Sequence, residues 1–116
     1  MARSPLVALG AVNAALAVAA GAFAAHGLRE RLTPRALEIF ETGARYHLIH
    51  AVAMVLAGIL LARGPGLLFQ AGVILFSGSL YALALTDVKF LGAITPIGGL
   101  LFLAGWLWLA ISAWRT

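Results

Sequence analysis

The chain has 116 residues, of which 63% are hydrophobic and 10% charged, and its mean hydropathy is +1.02. Soluble domains are about 25% charged and about half apolar, so this composition excludes a soluble globular protein. The net charge of +4 comes from basic residues spread along the chain without interleaved aromatic residues, which argues against nucleic-acid binding, and the absence of cysteine excludes disulfides and thiolate ligands.

Charged residues divide the chain into four charge-free runs. A helix that crosses the hydrocarbon core needs about 17–25 apolar residues, and each run is long enough. The sequence therefore predicts an all-α integral membrane protein, a four-helix bundle in one domain over 1–116. The predicted spans are approximately 5–26, 46–62, 67–85 and 90–113.

The first predicted helix consists mostly of glycine and alanine between Gly10 and Ala25. Small residues allow helix backbones to approach closely in lipid. Because they occupy nearly every face, we expect helix 1 to be surrounded by other helices and to lie near the shared surface of a homo-oligomer. An alanine-rich helix that simply faces lipid is the alternative.

A polar stretch follows the first span. Thr33 and Pro34 have the sequence of an N-cap and a first helical position. Leu37, Phe40 and Ala44 then recur at helical spacing. These residues predict an amphipathic interfacial helix over approximately 34–45, which either bends at Gly43 or runs straight into the second span.

The second half of the chain contains two interruptions. The stretch 63–66, Arg-Gly-Pro-Gly, predicts a tight turn between the second and third spans. In the fourth span, Pro96 removes a backbone donor, so we expect a kink there, next to Gly98 and Gly99.

Four spans place several polar residues on one side of the membrane. Three hypotheses explain such a group: hydrogen bonds that join helix ends, a pathway for a small solute or ion, and a metal or haem site formed by imidazoles from His26, His47 and His50. We expect His47 to lie nearer the headgroups than His50. The predicted polar cluster comprises His26, Tyr46, His50, Ser77, Ser79, Tyr81 and Thr95.

Ordered blocks of the sequence carry a resemblance to a known family. The matching residues are 21–23, 25–26, Phe40, 42–43, Tyr46, His50, 75–81, 92–99 and 105–106. These blocks resemble the YgdD-like family of small bacterial inner-membrane proteins, a domain-of-unknown-function family. One departure is Ala24, where the family pattern usually has glycine. The resemblance implies a four-helix membrane protein and supplies no established reaction, substrate or cofactor.

The predicted function is therefore that of a structural, interaction or accessory protein of the bacterial inner membrane. It is expected to be no enzyme, to use no cofactor, and to contact membrane lipids, copies of itself or an unidentified membrane protein. The basic side chains of the two loops beside the polar cluster slightly favour that side as cytoplasmic. The basic tails of family members favour both termini in the cytoplasm, which is the orientation we predict.

Overall fold

The structure is a computed structural model that describes residues 3–115, and every regular element within that range is a helix. A π-helical turn, Val73–Ser77, joins α3 to α4, so Arg63–Thr86 forms one continuous rod. The molecule measures 49 × 31 × 17 Å. Its helices are α1 (Pro5–His26), α2 (Pro34–Ile59), α3 (Arg63–Gly72), α4 (Gly78–Thr86) and α5 (Leu91–Arg115).

Capping residues explain where the first two helices begin. Ser4 Oγ accepts a hydrogen bond from the backbone N–H of Val7, and Thr33 Oγ1 accepts one from Ala36. Proline occupies the first position of both helices, where the missing N–H has no cost. The predicted N-cap at Thr33 is confirmed.

Helix α2 is continuous from Pro34 to Ile59. The predicted interfacial segment over 34–45 is thus the first part of the same helix as the second span, which answers the question left open at Gly43. This glycine does not bend the chain. It lets α2 approach α4, because a Cβ there would lie 3.1 Å from the ring of Tyr81.

The turn after α2 lies earlier than the sequence predicts. Leu61 adopts a left-handed conformation with φ 59°, and the N–H groups of Leu61 and Ala62 bond to the carbonyls of Gly58 and Ala57. This is a Schellman motif with leucine where glycine is usual. The next helix therefore begins at Arg63, and the stretch predicted as a turn, 63–66, is its first turn.

Within residues 3–115, three rods are long and apolar enough to cross a membrane: Pro5–His26, Arg63–Thr86 and Leu91–Arg115. The second predicted span, within α2, is not among them. Arg45, His47 and His50 lower the hydropathy of α2, although its final turns are as apolar as those of its neighbours.

Helix α2 lies at the centre of the bundle, in contact with α1, α3 and α4. Helix α1 packs on it through one stripe of residues, and the opposite face of α1 is exposed. The buried stripe of α1 comprises Gly10, Asn13, Ala17 and Ala24.

Helix α5 packs on the α3–α4 rod through glycines. A Cβ at Gly98 would overlap the backbone of Phe76 in the π-helical turn, and a Cβ at Gly105 would lie 2.6 Å from the ring of Phe69. The helix continues through Pro96. The kink at this proline stays a prediction.

Candidate functional site

A network of hydrogen bonds joins α1, α2, α3 and α4 inside the bundle. His47 Nδ1 lies 2.9 Å from the hydroxyl of Tyr81, and His47 Nε2 lies 3.0 Å from Asn13 Oδ1. Asn13 Nδ2 lies 2.8 Å from Gln70 Oε1 and 2.9 Å from the carbonyl of Leu9. Asn13 and His47 are buried, each with 6% of the residue surface exposed. Two buried side chains therefore connect four helical segments.

The direction of each hydrogen bond in this network follows from the groups involved. The Leu9 carbonyl can only accept, so the amide nitrogen of Asn13 must face it, and Asn13 Oδ1 must face His47. His47 then donates from Nε2, and in the neutral ring Nδ1 accepts from the Tyr81 hydroxyl. Every polar atom of the Asn13 side chain and both ring nitrogens of His47 are thereby satisfied.

His50 joins α2 to α5 with the opposite tautomer. Its Nδ1 donates to the carbonyl of Tyr46 at 2.8 Å, so its Nε2 is free to accept from the indole N–H of Trp106 at 3.0 Å. The imidazole stacks on Phe102 with ring centroids 3.6 Å apart and planes 10° apart. Protonation of Nε2 would break the bond to Trp106, because an indole nitrogen only donates.

Two serines near the π-helical turn behave differently. Ser79 Oγ is hydrogen-bonded to Thr95 Oγ1 on α5 and donates to the carbonyl of Phe76. Ser77 is fully buried, and its hydroxyl has no partner within residues 3–115. The first serine joins α4 to α5, whereas the second leaves a polar atom unsatisfied inside the protein.

The residues of the predicted polar cluster do not form one cluster in the structure but make separate contacts. Tyr81 pairs with His47, and Thr95 pairs with Ser79, while Tyr46 takes part through its backbone carbonyl and its ring. His26 is exposed at the end of α1 and lies outside these contacts. His47, expected near the headgroups, is buried between α1 and α4.

The three imidazoles do not converge. The ring nitrogens of His47 and His50 are already engaged, and the two rings face different helices. In the part of the chain that the structure describes, no group of three His, Cys, Asp or Glu residues could hold a metal ion. The contacts give no support to a metal or haem site at His26, His47 and His50.

Sequence reasoning left Asn13, Gln70 and Trp106 outside the predicted cluster. The sequence did contain a signal for Asn13 and Gln70. Each is the single amide side chain in its predicted span, and each lies about two helical turns after the start of its helix. Because α1 and α3 begin at the same end of the bundle, both amides lie about 10–12 Å from that end. Equal depth makes their pairing possible.

Comparison with known proteins shows that the chain is similar to membrane proteins of a family of unknown function. Residues 20–99 match the family model described as "Protein of unknown function (DUF423)". The chain is similar to the UPF0382 membrane protein YwdK of Bacillus subtilis, with 43% identity over 113 residues that cover 90% of this chain and 92% of the relative. It is also similar to a UPF0382 membrane protein of Staphylococcus epidermidis, with 46% identity over 110 residues and 90% of each chain covered. No solved structure matches the chain.

Proposed function

The chain belongs to the family of membrane proteins of unknown function (DUF423), and from that premise we propose that it is a structural or accessory protein of the bacterial inner membrane. The observation that supports this role is the pairing of its buried polar side chains with one another. Asn13, His47 and His50 make hydrogen bonds that join helices. These residues act as cross-links between helices.

The same network is poorly suited to proton transfer. A proton relay needs groups that accept a proton on one side and release one on the other, as a hydroxyl or an imidazole does. The path from Tyr81 through His47 reaches the amide of Asn13, which cannot pass a proton on under ordinary conditions. The four predicted spans also contain no Asp, Glu, Lys or Arg, which ion-coupled transporters usually keep inside the membrane.

We assign the fourth span to the second half of α2. A polar side chain is costly in lipid unless it is hydrogen-bonded within the protein, and His47 and His50 meet that condition. Four spans leave both termini on one side, where the described charged residues are Arg3, Arg63 and Arg115. The count of Lys and Arg alone slightly favours the opposite side as cytoplasmic, but four of its five basic residues lie in a stretch that also contains three glutamates. From this, and from the basic tails of family members, we propose that both termini are cytoplasmic.

The orientation is testable by labelling. Single cysteines in place of Ala2 and of Asp87 should react differently with a thiol reagent that cannot cross the membrane. In intact inner-membrane vesicles of right-side-out orientation, Asp87→Cys should be labelled and Ala2→Cys protected. The reverse pattern would place the termini outside.

Transport measurements test whether the buried polar residues only join helices or form a pathway for an ion. The purified chain is placed in liposomes that contain a fluorescent dye selective for the ion under test, with an imposed gradient of protons, Na⁺ or K⁺. We expect fluxes equal to those of empty liposomes for the wild type and for His47→Ala. A flux that the wild type supports and His47→Ala abolishes would make the pathway the correct function.

A homo-oligomer is a second proposal, supported by the outer face of α1. The face opposite α2, beside the exposed Val12, carries a row of small residues that are exposed in the single chain: Ala8, Ala11, Ala15, Ala19 and Ala22. A second helix could approach such a face closely. Ala15→Leu should then reduce cross-linked dimer in native membranes, while Ala104→Leu on an exposed position of α5 should not. Only monomer in the wild type would exclude this arrangement, and an adduct with another protein would identify a partner instead.

The narrower identification with YgdD-like proteins also stays a proposal, based on the sequence blocks given above.

A further inference from the structure

A cavity of about 370 Å³ opens at the end of the bundle where α1 and α3 begin and α2 ends. Its volume lies within the range of about 300–1,000 Å³ that small-ligand pockets occupy. Arg3 and Arg63 line it; Arg3 lies two residues before α1, and Arg63 is the first residue of α3. The residues around it combine positive charge with an apolar wall.

The positive charge of this pocket is not balanced by the protein. No carboxylate lines it, and within residues 3–115 neither Arg3 nor Arg63 forms an ion pair. Both residues are exposed. The partial positive charge at the first turns of α1 and α3 adds to the two guanidinium groups. An anion is therefore the complementary ligand.

A second cavity, at the opposite end of the bundle, provides the contrast. It has a volume of about 640 Å³ and is lined by Arg31, Arg35 and Lys89 together with Asp87. Asp87 already accepts a hydrogen bond from Lys89 at 2.7 Å, and Arg35 lies 3.5 Å from Glu38. At that end Arg35 and Lys89 thus have carboxylate partners, whereas neither arginine of the first pocket has one within residues 3–115.

The remaining wall of the first pocket is apolar and continues along the helices. Leu6 and Leu9 of α1 face it together with Leu67 of α3, and Leu61, which is 90% exposed, lies at its edge. In a membrane, the arginines would lie at headgroup level because they are found at the starts of the apolar rods, and the leucines would lie beside the acyl chains. The pocket is thus complementary to a phospholipid, with cationic residues at the level of the headgroup and leucines at the level of the acyl chains.

We propose that this pocket binds an anionic phospholipid. The guanidinium groups of Arg3 and Arg63 contact the phosphate, for which arginine offers paired donors. One acyl chain runs along Leu6, Leu9 and Leu67. This site requires that the rods span the membrane, and it is independent of the structural or accessory role proposed above.

The experiment is a lipid-binding measurement on the full chain in a neutral detergent. Native mass spectrometry counts the lipids retained as phosphatidylglycerol or phosphatidylcholine is added. The wild type should retain one phosphatidylglycerol in preference to phosphatidylcholine. Arg3→Gln and Arg63→Gln should each weaken that affinity about fivefold, as expected for a basic residue at an anionic surface, and the double variant should lose the preference. Leu67→Gln should weaken binding of both lipids.

Matched controls distinguish a pocket from general attraction between charges. Lys89→Gln removes a basic residue at the opposite end and should change the affinity less than twofold. Thermal melts should be unchanged for the arginine variants, because both side chains are exposed. Equal binding of the two lipids by the wild type, or an equal loss in Lys89→Gln and Arg63→Gln, would overturn the proposal. Displacement of the lipid by inorganic phosphate at equal concentration would also overturn it, since recognition would then not involve the apolar wall.

Discussion

Replacement of His47 by alanine tests the central feature of the structure, the cross-link between α1, α2 and α4. The substitution removes two interhelical hydrogen bonds, to Tyr81 and to Asn13. Such bonds in membrane proteins average about 0.6 kcal/mol and reach about 1.7 kcal/mol, so we expect the free energy of unfolding to fall by about 1–3.5 kcal/mol. The cavity left by the ring adds to this loss.

The control is His26→Ala. His26 is exposed and takes no part in the described network, so its replacement should change stability by less than about 0.5 kcal/mol. Both variants are compared with the wild type by equilibrium unfolding in mixed micelles, with tryptophan fluorescence as the signal. The chain has three tryptophans, of which Trp106 contacts His50 and reports on the adjacent helix pair.

A double-mutant cycle isolates the single bond between His47 and Tyr81. Tyr81→Phe removes only the hydroxyl, and its coupling with His47→Ala should be about 0.6–1.7 kcal/mol. Coupling between Tyr81→Phe and His26→Ala should be near zero. If His47→Ala costs no more than His26→Ala, or if the His47–Tyr81 coupling is absent, the hydrogen-bond assignment is wrong.

Three further predictions concern packing and the unsatisfied hydroxyl. Gly98→Ala should destabilise the protein by about 1–3 kcal/mol because its Cβ would overlap the backbone of Phe76, whereas Gly99→Ala, whose Cβ would have no neighbour closer than 3.8 Å, should be neutral or stabilising; thermal melts of the two variants check this. Leu61→Gly should raise the free energy of unfolding by up to about 1 kcal/mol, because a left-handed residue other than glycine is strained, and an unchanged or lower value in the same mixed-micelle assay would contradict this. Ser77→Ala should leave stability unchanged or raise it by up to about 1 kcal/mol, since it removes a buried hydroxyl without a partner, and a clear loss of stability would reveal an interaction of that hydroxyl.

Much of the architecture could be predicted from the sequence because it depends on local free energies. The location in the membrane follows from the sum of transfer free energies over each apolar run, and that sum does not depend on how the helices pack. The cap at Thr33 and the first position at Pro34 likewise involve residues within one turn. For the same reason, the three apolar rods coincide closely with three of the predicted spans.

The sequence predicted the structure less well where the same residue types occur in two different structural settings. Glycine next to proline is typical of a turn, yet at 63–66 the proline lies in the first turn of a helix and the glycines permit close packing. A Cβ at Gly66 would meet the side chain of Leu6, which is far away in the sequence. Similarly, Gly43 reads as a hinge in the sequence, but its neighbour Tyr81 makes it a contact between helices.

The pairing of the polar side chains was decided by the tertiary structure alone. His26, His47 and His50 are the same residue type, and each lies at the edge of an apolar run. Which of them becomes buried depends on the rotation of each helix about its axis and on its depth against its neighbours, and one residue changes the rotation by about 100°. His47 meets Asn13 across 34 positions of sequence, and Asn13 meets Gln70 across 57. The composition and periodicity of the chain determine that these helices form and where they insert, whereas the contact of one helix with another determines which of their polar groups meet.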